Sequence, residues 1–155
     1  MRKLYQLLIW IFVLQVVGFL MSQITKFNVD TWYQALQKSP LTPPNYVFGI
    51  AWTILYAMIA INGWLIWNQK KSETLTIIKK SFIIQLILNW AWTPLFFYCH
   101  FVLSSFVCLV FISIFTLHII IKSISIKALI SALFVPYLIW LVFATYLNYQ
   151  IWLLN

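Results

Sequence analysis

The sixteen residues from 30 to 45 read Asp30-Thr-Trp-Tyr-Gln-Ala-Leu-Gln-Lys-Ser-Pro-Leu-Thr-Pro-Pro-Asn45, and they form the longest polar break in an otherwise apolar chain. The stretch holds three of the chain's five prolines and one of its two acidic residues. A simple connector needs only a few turn residues. We therefore expect residues 30–45, called the lid here, to fold over a pocket between membrane helices.

The composition outside the lid is that of a membrane protein. Of the 155 residues, 64% are hydrophobic and 8% are charged, and the mean hydropathy is +0.95. Soluble domains carry about 25% charged residues. The net charge of +8 does not indicate a nucleic-acid partner, because no basic cluster exceeds two adjacent residues and membrane proteins collect basic residues in their loops. We expect one membrane domain over residues 1–155.

Five apolar runs have lengths near the roughly 20 residues that a helix needs to cross the hydrocarbon core. Because lipid offers no partners to backbone polar groups, these runs must be helices. The first run resembles a signal peptide, but its apolar core is too long and no Ala-x-Ala site follows, so we interpret it as a retained helix. The fold predicted is an all-α five-transmembrane-helix bundle, with helices at about 4–24, 46–67, 81–98, 105–121 and 128–152.

The basic residues predict an orientation in the membrane. If the N-terminus and the second and fourth connections share one side, that side carries eight basic residues, and the other side carries only Lys26 and Lys38. The positive-inside rule then places the N-terminus in the cytoplasm and the lid and C-terminus on the opposite side. The Lys- and Ile-rich composition favours a bacterial inner membrane. The eight basic residues are Arg2, Lys3, Lys70, Lys71, Lys79, Lys80, Lys122 and Lys127.

The ionisable residues argue against several kinds of chemistry. No Asp, Glu, Lys or Arg lies in the middle of a predicted span, whereas proton-coupled transporters usually place a carboxylate there. Asp30 and Glu73 fall on opposite sides, so no nucleophile–base–acid set is expected. Two histidines and two cysteines do not cluster, so neither a metal site nor a cofactor is expected. We expect His118 to be a hydrogen-bonded structural residue, and Cys99 and Cys108 to be buried free thiols.

Three predicted spans carry aromatic and small polar residues at helical spacing. The amides of Asn89 and Asn148 should point into the bundle, because they would be costly in lipid. Such faces either line an aromatic cavity or hold the helices together, and the pattern alone favours neither. The three sets are Phe48, Trp52 and Tyr56; Gln85, Asn89, Trp92 and Phe96; and Pro136, Trp140, Ala144, Leu147 and Asn148.

Local signals in the lid predict a short helix followed by an extended segment. Asp30 or Thr31 is expected to N-cap a helix that begins near Trp32, and residues before proline favour extended backbone. Trp32 and Leu36 are spaced to pack down on the bundle; the alternative is that Trp32 only anchors at the interface. In the third span, Pro94 cannot donate to the carbonyl four residues earlier, so a bend is expected there.

Four stretches together resemble the TspO/MBR family of translocator proteins. They occur in the family's order and cover the chain from about residue 30 to 152. The stretches are Trp32-Tyr33-x-x-Leu36-x-Lys38 with Pro43-Pro44; Trp52-x-x-Leu55-Tyr56; Leu88-Asn89-Trp90-Ala91-Trp92 with Phe96-Phe97; and Pro136-Tyr137-Leu138-x-Trp140-Leu141-x-Phe143-Ala144-x-x-Leu147-Asn148-Tyr149. The resemblance implies a five-helix bundle, often dimeric, that binds porphyrins such as protoporphyrin IX and other bulky hydrophobic ligands under its first long loop.

The resemblance also implies the site, and together with the aromatic faces and the lid it leads to three functional hypotheses. The first is a membrane receptor or carrier for such ligands. The second is an enzyme that degrades protoporphyrin IX with light and oxygen, with Trp52 and Trp140 as its candidate catalytic indoles. The third is a small exporter of hydrophobic compounds or a structural subunit. Besides the ligand, membrane lipid and a second copy of the chain are the expected partners. Ligand contacts carry over to Tyr33, Pro43, Trp52, Tyr56, Asn89, Trp92, Cys108, Trp140, Ala144 and Leu147.

The chain departs from the family's pattern at three positions. The family's loop reads Lys-Pro-x-Trp-x-Pro-Pro, whereas here Ser39 and Leu41 stand in the corresponding segment. Val107 stands where many members have Asp early in the fourth span. No Lys or Arg follows Tyr149, so the sterol motif of animal members is not predicted here. We expect any difference in ligand preference from the relatives to originate at Ser39 and Leu41.

Overall fold

The computed structural model describes residues 2–155, and within them the secondary structure is helical. Five helices are long and apolar enough to cross a membrane, so the chain is an all-α integral membrane protein, as its composition predicts. The helices are α1 (Arg2–Val29), α2 (Trp32–Ala35), α3 (Asn45–Trp67), α4 (Glu73–Thr93), α5 (Val102–Ser123) and α6 (Ala128–Leu154), and α4 continues into π-helical turns at Pro94–Tyr98.

The five long helices are arranged in a ring. Neighbours pack in the order α1, α3, α6, α5 and α4, and the π-helical turns after α4 close the ring against α1. Helix α1 is peripheral: Leu14 is its only buried residue in the described structure, and side chains such as Phe12 and Phe27 face outward. Such apolar outward faces suit contact with lipid tails. The tightly packed core therefore lies among α3, α4, α5 and α6.

Several helices extend beyond the predicted spans. Helix α1 continues to Val29 rather than ending near residue 24, and α5 and α6 extend by two or three residues. The largest error is in α4, which begins at Glu73 rather than at Ser81. The Ser72 side chain caps this helix by accepting a hydrogen bond from the Leu75 amide at 3.1 Å. Lys79 is therefore helical rather than part of a linker. Apolarity marks where a helix crosses hydrocarbon, whereas caps decide where it begins.

The third membrane crossing changes geometry at its proline. Pro94 lacks the amide that would continue the α-helical ladder, and the chain forms π-helical turns with the Cys99 amide donating to the Pro94 carbonyl at 2.9 Å. These wider turns bury the consecutive residues Phe96 and Phe97. Cys99, predicted to be buried, is exposed, because it follows the last of these turns at the end of the crossing.

A glycine allows α1 to approach α3 closely. A Cβ atom on Gly63 would lie 2.6 Å from Cζ3 of Trp10 and 3.0 Å from Cζ of Phe82. The Trp10 ring is itself held between aromatic neighbours, with centroid distances of 5.2 Å to Trp67 and 6.0 Å to Phe82. The indole therefore has little room to move away from a larger side chain.

We predict that Gly63→Ala destabilises the bundle although alanine favours helix. Overpacking costs about 1–3 kcal/mol, which exceeds the roughly 1 kcal/mol gained in helix propensity. Gly49→Ala is the matched control, because no heavy atom lies within 4 Å of its added Cβ. The thermal unfolding midpoint in detergent should fall for Gly63→Ala and stay level or rise for Gly49→Ala. Equal midpoints would contradict the close approach of α1 and α3.

Candidate functional site

A cavity of about 600 Å³ lies in the half of the bundle nearest the lid. Its wall comes from the C-terminal halves of α1, α4 and α6, the N-terminal half of α3, the π-helical turns and Tyr33 of the lid. Small-molecule sites in proteins span about 300–1,000 Å³ and are mostly apolar with a few directional polar groups. The volume of this cavity and the composition of its wall match that description.

Three aromatic rings form a stacked column in the cavity wall. The centroids of Trp52 and Trp92 lie 6.3 Å apart at 28°, and those of Trp92 and Phe96 lie 5.4 Å apart at 14°. The Trp92 indole is held in place because its Nε1 donates to Oδ1 of Asn148 at 3.3 Å. Asn148 is oriented in turn by donating from Nδ2 to the Val102 carbonyl at 2.8 Å. The three rings are thus held in fixed orientations in the cavity wall.

A chain of neutral polar groups runs from the cavity wall into the core. The Tyr56 hydroxyl donates to Oδ1 of Asn89 at 2.9 Å, and Nδ2 of Asn89 donates to the Tyr137 hydroxyl at 2.8 Å. The Tyr137 hydroxyl donates to Oε1 of Gln85 at 3.2 Å. Tyr56 and Asn89 line the cavity, whereas Tyr137 and Gln85 are fully buried behind it. As predicted, Asn89 and Asn148 point into the bundle.

Helix α1 supplies a wall that the sequence analysis missed. A stripe at alternating spacings of three and four residues marks this face, but the mostly apolar helix around it hides the pattern. A Cβ atom on Gly18 would lie only 2.8 Å from the Tyr56 ring, and Nε2 of Gln15 donates to the Thr53 carbonyl at 2.9 Å. Lys26 is the one charged residue among the described lining residues. The α1 wall consists of Gln15, Gly18, Phe19, Met21, Ser22, Thr25, Lys26 and Val29.

Seven of the ten predicted contact residues line the cavity, and three do not. The face predicted on α3 lies entirely in the wall, because Phe48 joins the two residues predicted there as contacts. Pro43, Cys108 and Trp140 lie outside the wall. The seven lining residues are Tyr33, Trp52, Tyr56, Asn89, Trp92, Ala144 and Leu147.

The three other residues have identifiable surroundings. Cys108 is buried on α5, which contributes no residue to the described wall, and its Sγ donates to the Leu88 carbonyl at 3.3 Å. Trp140 packs edge-on against Phe48 at 5.9 Å, and Phe48 lines the cavity in its place. Pro43 lies between the turn in which the Thr42 amide donates to the Ser39 carbonyl and the start of α3.

Two members of the predicted helix faces are also placed differently. Pro136 is exposed, although its spacing predicts the same face as Trp140, and the next residue, Tyr137, is the one in the core. Gln85 is buried but lies behind the cavity wall. The prediction for His118 is confirmed, because its Nδ1 lies 2.9 Å from Oγ of Ser81.

The lid begins with the predicted short helix. Helix α2 starts at Trp32, but no side chain caps it, because the Thr31 hydroxyl donates backward to the Asn28 carbonyl at 3.5 Å. The Trp32 ring stacks on His100 with centroids 4.0 Å apart at 17°. Trp32 and Leu36 both pack against the buried cluster that contains Phe96. The prediction that they pack down on the bundle is therefore confirmed.

Lys38 closes the end of α2. Its Nζ donates to the carbonyls of Tyr33 at 2.7 Å, Leu36 at 3.0 Å and Gln34 at 3.3 Å. A cation at the carbonyls of the last turn stabilises a helix C-terminus. Partial burial lowers the pKa of Lys38, and burial raises the pKa of the Tyr33 hydroxyl. Tyr33 is buried and Lys38 is held by three backbone carbonyls, so both residues are part of the packed lid.

The two atypical lid positions have different environments. Ser39 is buried: its Oγ lies 3.1 Å from the Tyr146 hydroxyl and accepts a hydrogen bond from the Leu41 amide at 3.2 Å. Leu41 is 65% exposed and faces away from the cavity. Further contacts join Gln37 to Asn155, whose side chain pairs with the backbone N–H and C=O of Gln37 at 3.0 Å each. The lid is thus fastened to the C-terminal part of α6.

The fold and the cavity together define a small polytopic membrane protein with an aromatic chamber of ligand size at one end. The TspO/MBR family model matches residues 10–153. The chain therefore belongs to the TspO/MBR family.

Individual relatives agree with this membership. Residues of the chain are 41% identical over 88 positions to the tryptophan-rich protein TspO of Archaeoglobus fulgidus, covering 52% of each protein. They are 37% identical over 82 positions to the translocator protein of Bos taurus, covering 52% of this chain and 48% of that one. They are 31% identical over 85 positions to protein CrtK of Rhodobacter capsulatus, covering 54% of this chain and 53% of that one. The matches span about half the length of these curated relatives.

We predict that Ser39→Ala loosens the lid. The change removes the contact with Tyr146 and the acceptor of the Leu41 amide, at a cost of about 1–1.5 kcal/mol. Amide hydrogen exchange across residues 37–42 should accelerate by about five- to tenfold. Ser125→Ala, in an exposed turn between α5 and α6, is the control and should leave lid exchange unchanged. Equal exchange rates in the two variants would show that the Ser39 contacts do not fasten the lid.

Proposed function

We propose that this protein is a membrane receptor or carrier that binds porphyrins, or similarly broad and planar hydrophobic molecules, in the cavity below the lid. The observation that carries the proposal is the stacked column of Trp52, Trp92 and Phe96 in the wall. Flat aromatic molecules bind well to pre-oriented aromatic surfaces, because stacking adds to the burial of apolar area. Membership of the TspO/MBR family supports the same class of ligand.

The position of Lys26 supports protoporphyrin IX in particular. This porphyrin carries two propionate groups on one edge of a large apolar ring. Lys26 lies in the last turn of α1, at the end of the cavity nearest the lid. A propionate paired with this ammonium would leave the ring to enter the apolar part of the cavity. Charged groups near helix ends keep their heads in the interfacial region.

The membrane placement that we propose follows from the charge distribution. The N-terminus faces the cytoplasm of a bacterial cell, and the lid and the C-terminus lie on the outer side of the inner membrane. Ligand would then enter from the lid side. We also propose a homodimer, because Ala128 and Ala132 lie one helical turn apart and are both exposed on α6. Small residues at this spacing allow close packing between membrane helices.

Light-driven degradation of protoporphyrin IX is the second candidate function. The stacked pair of Trp52 and Trp92 favours it, because indoles in contact with an excited porphyrin can donate electrons to it. Trp140, the other indole of the original hypothesis, lies outside the wall. Illumination of the purified protein with protoporphyrin IX and oxygen tests this function. Product formation no faster than in a variant with both Trp52→Phe and Trp92→Phe excludes an enzyme that uses these indoles and leaves the receptor or carrier.

We predict that Trp52→Phe and Trp92→Phe each weaken protoporphyrin IX binding. Loss of an indole contact costs about 0.5–1.5 kcal/mol, or roughly two- to tenfold in Kd. Trp140→Phe removes an indole outside the cavity and should leave Kd within about twofold of the original value. The porphyrin's own absorbance reports binding in all variants. A loss of affinity confined to Trp140→Phe would contradict the cavity assignment.

We predict that Lys26→Met discriminates between protoporphyrin IX and its dimethyl ester. The change removes the charge that pairs with a propionate, so the acid should bind about three- to tenfold more weakly. Binding of the ester should not change, because it has no carboxylate. Lys127→Met, at the opposite end of the bundle, is the control for net charge. Equal weakening of acid and ester would mean that Lys26 contributes packing rather than charge.

A further inference from the structure

The chain of hydrogen bonds behind the cavity ends in an unpaired group. It links Tyr56, Asn89, Tyr137 and Gln85 through three consecutive hydrogen bonds. Two of these residues belong to the cavity wall, and two lie behind it. Nε2 of Gln85 is buried with no hydrogen-bond partner in the described structure. Buried polar atoms are usually paired, and Nε2 of Gln85 is one of eight buried side-chain nitrogen or oxygen atoms without a partner in the described structure.

Every link of this chain can run in the opposite direction. Hydroxyl and primary amide groups both donate and accept hydrogen bonds. If the amides of Asn89 and Gln85 each rotate by about 180°, Nε2 of Gln85 donates to Tyr137, Tyr137 donates to Asn89, and Asn89 donates to Tyr56. The three bonds are preserved, because only the identity of donor and acceptor changes at each contact.

The direction of the chain decides what Tyr56 offers to the cavity. In the observed direction its O–H is committed to Asn89, so its oxygen can only accept a hydrogen bond from a ligand. In the reversed direction its oxygen accepts from Asn89, and its O–H is free to donate. Asn89 retains one free donor and one free acceptor site in either case. For a ligand, the two directions of the hydrogen-bond chain therefore differ only at the Tyr56 hydroxyl.

Gln85 makes the two directions comparable in free energy. In the observed direction the group left unpaired is Nε2, and after reversal it is Oε1 of the same side chain. Leaving either group buried and unpaired costs about the same, roughly 1–3 kcal/mol. A hydrogen bond from a ligand to Tyr56 is of similar size, so it is large enough to select the direction.

We propose that Tyr137 and Gln85 set the ligand specificity of the cavity from behind its wall, by letting Tyr56 accept from a donor ligand or donate to an acceptor ligand. The inference rests on the proposed function, which is ligand binding in this cavity. It lets the uncharged part of the wall recognise planar molecules of opposite hydrogen-bonding character. Tyr137 and Gln85 are positioning residues, because neither reaches the ligand.

Three flat tricyclic probes of nearly equal shape separate the two directions. Carbazole presents an N–H donor, dibenzofuran presents an oxygen acceptor, and fluorene presents neither. Dissociation constants are measured for each probe in detergent, and competition by protoporphyrin IX locates the probes in the cavity. The quantity of interest is the ratio of the carbazole Kd to the dibenzofuran Kd, compared between variants. Fluorene reports any change in the shape of the cavity.

Gln85→Met should shift this ratio. Methionine cannot accept the Tyr137 O–H well, so the observed direction would bury an unpaired Tyr137 hydroxyl donor, whereas in the reversed direction Tyr137 donates to Asn89 and the free O–H is that of Tyr56 at the cavity. Tyr56 is then held as a donor. Carbazole should bind about tenfold more weakly relative to dibenzofuran, with fluorene unchanged. Tyr137→Phe cuts the chain in both directions and should keep the ratio near the original value, alone or combined with Gln85→Met.

A measurement on the unsubstituted protein adds an independent test. With isotope-labelled tyrosine, the infrared C–O stretch of Tyr56, assigned by Tyr56→Phe, should shift in opposite directions when carbazole and dibenzofuran bind. Two results would overturn the proposed reversal of the hydrogen-bond chain. One is a pair of shifts of the same sign, and the other is a carbazole-to-dibenzofuran Kd ratio that Gln85→Met leaves unchanged or shifts equally when combined with Tyr137→Phe. In both cases, competition of the probes with protoporphyrin IX would still support the proposed function. Probes that protoporphyrin IX does not displace would overturn the proposed function and the proposed reversal of the hydrogen-bond chain together.

Discussion

The bilayer offers no hydrogen-bond partners, so the polar groups within this bundle depend on one another for their hydrogen bonds. Helix α4 is central to that requirement. Asn89 pairs with Tyr56 of α3 and with Tyr137 of α6, and Gln85 pairs with Tyr137 again. These contacts fix the register of three helices at one level of the membrane. Apolar packing alone would allow the helices to slide or rotate, because lipid tails and leucine side chains are equally apolar.

The cavity follows from that fixed core and from three features at the lid side of the bundle. Trp52 lies one helical turn before Tyr56 on α3, so the Tyr56 contact also sets the position of its indole. The π-helical turns after Pro94 direct both Phe96 and Phe97 inward. Helix α1 closes the remaining side with a face on which Gly18 and Ser22 alternate with the larger Phe19 and Met21. The lid, fastened through Ser39 to Tyr146, adds Tyr33 to the wall.

The sequence was informative where a physical rule acts locally. Hydrocarbon thickness sets the span length, so all five crossings were predictable, and helical spacing placed the α3 face correctly. The start of α4 was not predictable, because Ser72 caps it within a segment that looks like a polar linker. The α1 wall was hidden in an apolar run. A family resemblance indicates which positions correspond, but it does not show where each side chain points. The resemblance therefore places Trp140 in the cavity wall, whereas Phe48 occupies that part of the wall. The partner of Ser39 lies 107 residues away and leaves no local signal.

The central claim is that a planar aromatic ligand binds between the lid and the polar core, against the indoles of Trp52 and Trp92. An experimentally determined structure of the complex with protoporphyrin IX tests it most directly. We predict that the macrocycle lies in van der Waals contact with both indoles and that a propionate lies within hydrogen-bonding distance of Nζ of Lys26. A macrocycle bound instead in the outward-facing groove between α5 and α6, near Ser113 and Leu138, with the cavity free of porphyrin, would contradict the claim.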